Sequence, residues 1–393
     1  MEPTVIGLFL VAGLASLFMS WVIGAGSSGA TPFAPAVGAN AISTMRAAFI
    51  VGIFGFTGAV VQGANVSKAV GRGLVGGTSL PASGVIVVLF IGAGLMTIGI
   101  KTGYPIATAF TVTGSVVGVG LALGGTPVWS KYLQVSAVWV LTPFVGGGLA
   151  YGIASILPRN DVAERHSVAG LAGLVGAVLA NLEFAYLGPG KTAATVTGVV
   201  KQTLDTESTM VPAVVSIGVG VSVASLVWFD IRRDLTGGLR RVLLVLGSLV
   251  AFSAGGSQVG LAVGPLLPLL DELGMVSVTA VLIGGGIGIL AGSWTGAPRM
   301  IKSLARDYSS LGPRRSIAAL VPSFLIAQVA VLLGVPVSFN EIVVSAIIGS
   351  GAAVGGGEAV SVRKILVTVG AWVGSLALAL VVGYVTAFIL PMS

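Results

Sequence analysis

Long apolar runs, each about as long as a helix needs to cross a bilayer, alternate along the chain with short polar stretches. They predict membrane-spanning helices over 5–24, 46–64, 82–100, 133–156, 167–187, 209–229, 242–254, 275–297, 315–333 and 365–390. The strands of a membrane barrel would be shorter and strictly alternating. The expected fold is therefore an all-α integral membrane protein with about ten or more transmembrane helices. Near 25–40, 103–125, 255–270 and 334–356 the chain stays apolar but is interrupted by Gly, Pro and Ser, which predicts broken or re-entrant helices. The opening run MEPTVIGLFL lacks a basic start, and the first basic residue is Arg46, so it reads as a spanning helix and not as a secretory signal.

Composition adds exclusions. Of 393 residues 55% are hydrophobic and 8% charged, against roughly a quarter charged in a soluble domain. The excess of 20 Lys+Arg over 13 Asp+Glu lies between apolar spans, which fits basic cytoplasmic loops and argues against nucleic acid as a partner. There is no cysteine, and His166, in RNDVAERH, is the single histidine and reads as a solvated loop residue. Thiol chemistry and a multi-His metal centre are excluded on that ground, and no cofactor is expected. GxxxxGK[ST] does not occur, since YLGPGKT has the wrong glycine spacing, so no nucleotide-driven pump is indicated. No nucleophile stands with a base, which argues against an enzyme.

The interrupted segments come in pairs. Residues 103–125 align without a gap to 334–356, matching Gly103, Pro105, Val112, Gly118 and Gly120 to Gly334, Pro336, Val343, Gly349 and Gly351. At nearly the same spacing AGSSGATPFAP, 25–35, faces GGSQVGLAVGP, 255–265. This predicts a duplication: a first transmembrane repeat over 1–156, connecting transmembrane segments over 157–229, a basic cytoplasmic loop over 230–241 and a second repeat over 242–393. Duplicated halves with broken helices in corresponding places point to a secondary transporter built of inverted repeats, with its site where the halves meet. Backbone leaves a helix inside a membrane only where it is buried or lines a wet cavity. The heavier charge of 299–315 relative to 64–78, with only Lys68 and Arg72, agrees with inversion.

With these motifs the chain resembles the inorganic phosphate transporter (PiT) family of membrane anion permeases. That family carries two signatures like GANDVAN(A/S)(F/I)G and, later in each half, segments like G-x-P-V-S-T-T-H. AGSSGATPFAPAVGANAIS and GGSQVGLAVGPL stand at the signatures, and Gly103-Tyr104-Pro105 and Gly334-Val335-Pro336 open the G-x-P runs. WSKYLQVSAVWVLTPFVGGGLAY and GAPRMIKSLARDYSSLGPRRSIAAL also look like the family's spans and loop. The motifs are altered. The Asn-Asp positions hold Ser27-Ser28 and Ser257-Gln258, and the later Asn positions Thr31 and Leu261. The Ser-Thr-Thr-His positions hold Ala107, Thr108, Ala109 and Phe110, then Ser338, Phe339, Asn340 and Glu341. Both aspartates and both histidines are gone.

The resemblance implies an ion-coupled carrier of inorganic phosphate in the cell membrane, surrounded by lipid and assembled as a homodimer. Substrate-binding candidates are Ser27, Ser28, Thr31, Thr108, Ser257, Gln258, Ser338 and Asn340, whose hydroxyl and amide groups can donate to a tetrahedral oxyanion. Small hydroxyls in membrane helices also glue helices together or bond their own backbone, so each has a purely structural alternative. Glu341 is the coupling candidate, because a carboxylate at membrane depth faces a cavity, finds a partner or takes a proton. With the aspartates lost, H+ stands beside Na+ as the coupling ion. A proton-coupled permease for sulfate or another inorganic oxyanion, and an anion channel, are the competing readings. Glu183 beside Lys191, Lys101, Glu358, Arg363 and Lys364 read as interfacial or solvated.

Overall fold

All but one of the ten predicted spans are long helices in the computed structural model, which describes residues 3–158, 163–188, 192–206, 208–273, 276–355, 360–390 and 392. The first half contains α1 (Pro3–Gly26), the short α2 (Ala34–Gly38), α3 (Thr44–Gln62), α4 (Ala64–Arg72), α5 (Ala82–Thr102), α6 (Thr108–Ala122) and α7 (Trp129–Ile156). A two-residue antiparallel pair, β1 (Val75–Gly76) with β2 (Thr126–Pro127), closes its loops. Then come α8 (Glu164–Leu179), α9 (Val196–Thr203) and α10 (Met210–Arg233). The second half has α11 (Leu235–Val263), α12 (Leu267–Leu273), α13 (Val278–Thr295), α14 (Ala297–Arg306), α15 (Pro313–Leu333), α16 (Phe339–Gly355) and α17 (Val362–Ile389).

Among the described residues, nine helices are long and apolar enough to cross a membrane, and α6 and α16 are shorter apolar helices. The protein is a multi-pass, all-α membrane protein. The exception is 167–187. Its helix, α8, has 16 residues and stops at Leu179, where Asn181 and Glu183 would carry polar groups into the span. His166 lies in the first turn of α8 and not in a loop, although it is exposed as expected. The stretch 230–241 is likewise not a loop. It is the end of α10 and the start of α11, broken at Asp234, whose carboxylate accepts from the Gly237 N–H at 2.9 Å and caps α11.

Helices of one half pack on helices of the other. Helix α1 lies on α13 and α3 on α11; α6 lies on α17 and α7 on α16. Glycines set the crossings. A Cβ at Gly24 would meet the Ile289 carbonyl, and one at Gly255 the Gly55 carbonyl. Gly118 and Gly349, matched in the duplication, stand in the same way against the backbone of Leu380 and Gly147. With no hydrophobic drive between helices in lipid, such close backbone approach is what holds them together. The matched helices α1 and α11 run in opposite directions: Ser16 Oγ donates to the Ala262 carbonyl at 2.9 Å, and Ser27 Oγ to Gln258 Oε1 at 3.2 Å.

Three of the four interrupted segments break as expected. Helices α5 and α15 each end on a left-handed glycine, Gly103 at φ 74° and Gly334 at φ 60°, a conformation glycine adopts without a Cβ clash. Extended segments carrying Pro105 and Pro336 then lead into α6 and α16. In the first signature α1 stops at Gly26 and turns follow, and Pro32, which lacks an N–H, keeps a regular helix from running on through the signature. The second signature differs from the expectation. Ala262 stands where the first copy has Pro32, so α11 runs unbroken through Ser257 and Gln258 to Val263, and a 3-10 turn begins only at Gly264-Pro265.

Candidate functional site

The extended segments after Gly103 and Gly334 deliver the first residues of α6 and α16 to the buried end of α1. Asn340 joins them. Its Nδ2 donates to the Ile106 carbonyl at 2.7 Å and to the Gly26 carbonyl at 3.1 Å. Gln258, one turn before the end of α11, accepts from Ser27 Oγ at 3.2 Å and donates through Nε2 to the Val337 carbonyl at 2.5 Å. All four interrupted segments therefore meet at one place.

Every candidate side chain is out of contact with solvent. Ser27, Ser28, Thr31, Thr108, Ser257, Gln258, Ser338 and Asn340 are fully buried, and Glu341 is 1% exposed. Several hydroxyls turn to their own helix: Thr31 Oγ1 donates to the Ser27 carbonyl at 3.1 Å, Ser257 Oγ to Ala254 at 3.4 Å and Ser28 Oγ to Ile23 at 3.5 Å. The last two are long and weak. The other group is different. Thr108 Oγ1, Ser338 Oγ, Asn340 Oδ1 and Glu341 Oε2 are buried with no hydrogen-bond partner. A buried polar atom left unpaired costs about 1–3 kcal/mol, and a polar ligand reaching these four would satisfy them.

The backbone around them favours an anion. Thr108 is the first residue of α6, and no side chain caps that helix. Asn340 and Glu341 lie in the first turn of α16. Two helix starts, with unpaired N–H groups and the positive ends of their dipoles, thus flank the orphaned side chains. Glu341 is the one acidic or basic residue fully buried among the described residues, and no cation accompanies it. No group of three or more His, Cys, Asp or Glu occurs among them that could hold a metal ion.

Two supporting residues escaped the sequence reading. Trp139 Nε1 donates to the Pro336 carbonyl at 2.9 Å, and Trp372 Nε1 to the Pro105 carbonyl at 2.7 Å. Each tryptophan steadies the G-x-P segment of the opposite half, and Trp139 also stacks on Phe110 with ring centroids 3.9 Å apart. A tryptophan in corresponding spans of both halves was the signal available. A second polar cluster also went unread. Gln328 Nε2 donates to Ser253 Oγ at 2.6 Å and to Gln62 Oε1 at 3.3 Å, beside a cavity of about 470 Å³ that Asn65, Asn181 and Ser216 help to line.

Among the accessory charges, Glu183, Lys101 and Arg363 are exposed as expected, while Lys191 and Glu358 lie outside the described residues. Lys364 is a correction. It is not solvated but lies over the Tyr104 ring, 4.1 Å from its centroid, and pairs with Asp307 at 3.2 Å. Ser303 Oγ donates to the same carboxylate at 2.7 Å and to the Gly103 carbonyl at 2.9 Å, so this cluster fastens the first G-x-P turn.

The model of the phosphate transporter family matches residues 23–383. A protein of Pyrococcus abyssi that bears the name phosphate permease is 28% identical, over 90% of this chain and 90% of its own. The inorganic phosphate transporter 2-1, chloroplastic, of Arabidopsis thaliana is 25% identical over 87% of this chain and 65% of its own. A solved structure, that of a sodium-dependent phosphate transporter, superposes with a TM-score of 0.79 over 98% of both chains at 22% identity, a likeness of fold.

Proposed function

The chain belongs to the phosphate transporter family, and from that premise we propose that it carries inorganic phosphate by alternating access between two inverted halves, with Glu341 as the coupling group. It is a transporter and not an enzyme. The observation that carries the reading is the set of unpartnered buried groups, Thr108 Oγ1, Ser338 Oγ, Asn340 Oδ1 and Glu341 Oε2, between two helix starts. Phosphate offers acceptor oxygens to the hydroxyls and backbone N–H groups, and its own O–H donors to Asn340 Oδ1. Ser27, Gln258 and the amide of Asn340 then hold the walls of the site together.

Glu341 sets the coupling. A phosphate anion and an ionised carboxylate cannot share a closed, dry site without a compensating charge. A proton on Glu341 removes the conflict and adds a donor. We therefore assign proton symport: Glu341 is protonated when phosphate binds and releases its proton on the side where phosphate leaves. Sodium is the ion named for the solved neighbour, and it is the competing outcome of the test. Neither phosphate nor proton reaches the site without a rearrangement, since all nine candidate residues are closed off, as an occluded state of the cycle requires. The opposite directions of α1 and α11 support the inverted arrangement of the halves.

Purified protein in liposomes tests this directly. Labelled phosphate is expected to accumulate under an imposed pH gradient and not under a sodium gradient, with labelled sulfate left outside. Glu341→Gln is expected to abolish accumulation while leaving phosphate–phosphate exchange. Sodium-driven accumulation, or a pH-driven one that survives Glu341→Gln, refutes the assignment of the coupling group. A homodimer, implied by the family resemblance, is checked by the mass of the detergent-solubilised particle.

A further inference from the structure

Far from the transport site, the N-terminal parts of α3 and α11 stand side by side over an open groove of about 450 Å³. Its floor and walls are apolar: Met45 and Phe49 are 64% and 53% exposed, with Ile50 and Leu244 behind them. Two arginines stand at its rim, Arg46 and Arg240. Arg240 is oriented, because its Nε donates to the Ala41 carbonyl at 2.7 Å and leaves the rest of the guanidinium free to point elsewhere. Arg46 is exposed and has no partner among the described residues.

Acidic neighbours do not neutralise the pair. Asp230 and Asp234 are both taken by Arg241, at 2.8 and 3.9 Å. The start of α3 adds positive potential, since Ser43 precedes it without a side-chain cap and the first N–H groups of the helix remain open. One groove wall is also rigid: Phe49 stacks on Trp294 with centroids 5.1 Å apart, and Trp294 Nε1 donates to the Phe49 carbonyl at 3.2 Å. Tryptophans of this kind collect at the membrane–water interface, and arginines over apolar clefts between helices suit anionic headgroups.

We propose that this groove binds one anionic phospholipid, its phosphate held between Arg46 and Arg240 and an acyl chain lying along Met45, Phe49 and Leu244. A zwitterionic lipid has the same chain but brings a cationic group towards the two arginines, so the site discriminates by net headgroup charge. Free phosphate shares the headgroup chemistry but leaves the apolar groove empty. The site uses no residue of the transport machinery and stands whether or not the proposed cargo is correct.

Native mass spectrometry of the detergent-purified protein, titrated with phosphatidylglycerol or phosphatidylcholine, reads it out. Wild type is expected to retain one phosphatidylglycerol in preference to phosphatidylcholine. Arg46→Gln, at an exposed position free of protein partners, is expected to weaken retention about fivefold, and Arg46→Gln with Arg240→Gln about thirtyfold. Equal retention of the two lipids by wild type, or unchanged retention by the Arg46→Gln protein, overturns the proposal. Thermal stabilisation by millimolar inorganic phosphate alone, lost in Arg46→Gln, also overturns it, because the site would then be one for the free anion.

Discussion

Asn340→Leu breaks the joint on which the site depends and takes with it the Oδ1 proposed to accept from phosphate. Leucine keeps the branched heavy-atom skeleton of asparagine, so the change removes both hydrogen bonds while adding the bulk of two methyl ends at a fully buried position. Two carbonyls lose their donor, Gly26 at the end of α1 and Ile106 in the extended segment before α6. The Gly26 contact is buried and the Ile106 contact is partly buried, so water reaches the second more easily. A buried group left unpaired costs about 1–3 kcal/mol, and a lost bond that water replaces costs about 1 kcal/mol. The sum, about 2–4 kcal/mol, is an upper bound, because the unpaired Asn340 Oδ1 leaves with the side chain and its own cost is relieved. The assay is unfolding of purified protein in mixed detergent with increasing SDS, followed by helical signal. If the joint forms only when the site is closed, phosphate binding weakens by the same free energy, roughly thirty- to several-hundred-fold. A variant whose stability lies within about 0.5 kcal/mol of wild type and which binds phosphate normally would show that the clamp is incidental.

Trp139→Phe and Trp372→Phe each leave one proline carbonyl unpaired, so each is expected to destabilise by about 1–3 kcal/mol, with the double variant additive in the same SDS titration. Gly24→Val and Gly255→Val drive a side chain into the backbone of Ile289 and of Gly55, and both are expected to abolish folded protein in detergent, as size-exclusion profiles would report. Lys364→Met frees the Asp307 carboxylate over the first G-x-P turn, and is expected to slow phosphate exchange in liposomes while leaving the second turn intact. Burial, with Asp307 adding to it, pushes the Tyr308 hydroxyl above the ordinary tyrosine range, and the folded state thus binds this proton more tightly than the unfolded one. The resulting stability is present below about pH 10 and falls as pH rises beyond it, and Tyr308→Phe is expected to remove that part of the alkaline loss.

The long helices were legible because a span must be apolar over its whole length, a constraint strong enough to outweigh uncertain ends. The G-x-P turns were legible for a local reason: a left-handed glycine followed by proline ends a helix wherever it stands. The likeness of the second signature to the first suggested a break at the same place, whereas α11 runs on to Val263 and breaks only at Gly264-Pro265. Site residues could be named from their types, yet the split between them was invisible. Ser28 and Ser257 bond their own helices, while Thr108 and Ser338 are left without partners, and that depends on which turns face each other in space. The tryptophan braces stayed hidden for the same reason, since each spans the two halves.

The interlocking of the halves has a consequence for how the protein is made. Helix α3 leaves the ribosome long before α11, the helix it rests on, has been synthesised. Until then Gly55 and Gly58 have no backbone to lie against, and Ser27 has no Gln258. The first half must therefore wait in the bilayer as a set of inserted but loosely associated helices, its polar groups turned to one another or to lipid headgroups. Helix α6 in turn stays without its neighbour until α17 arrives to receive it. A chain cut off after the first half would be an orphan for quality-control proteases and not a smaller carrier. Two halves expressed together from separate genes could still find each other, because the contacts that matter are between them.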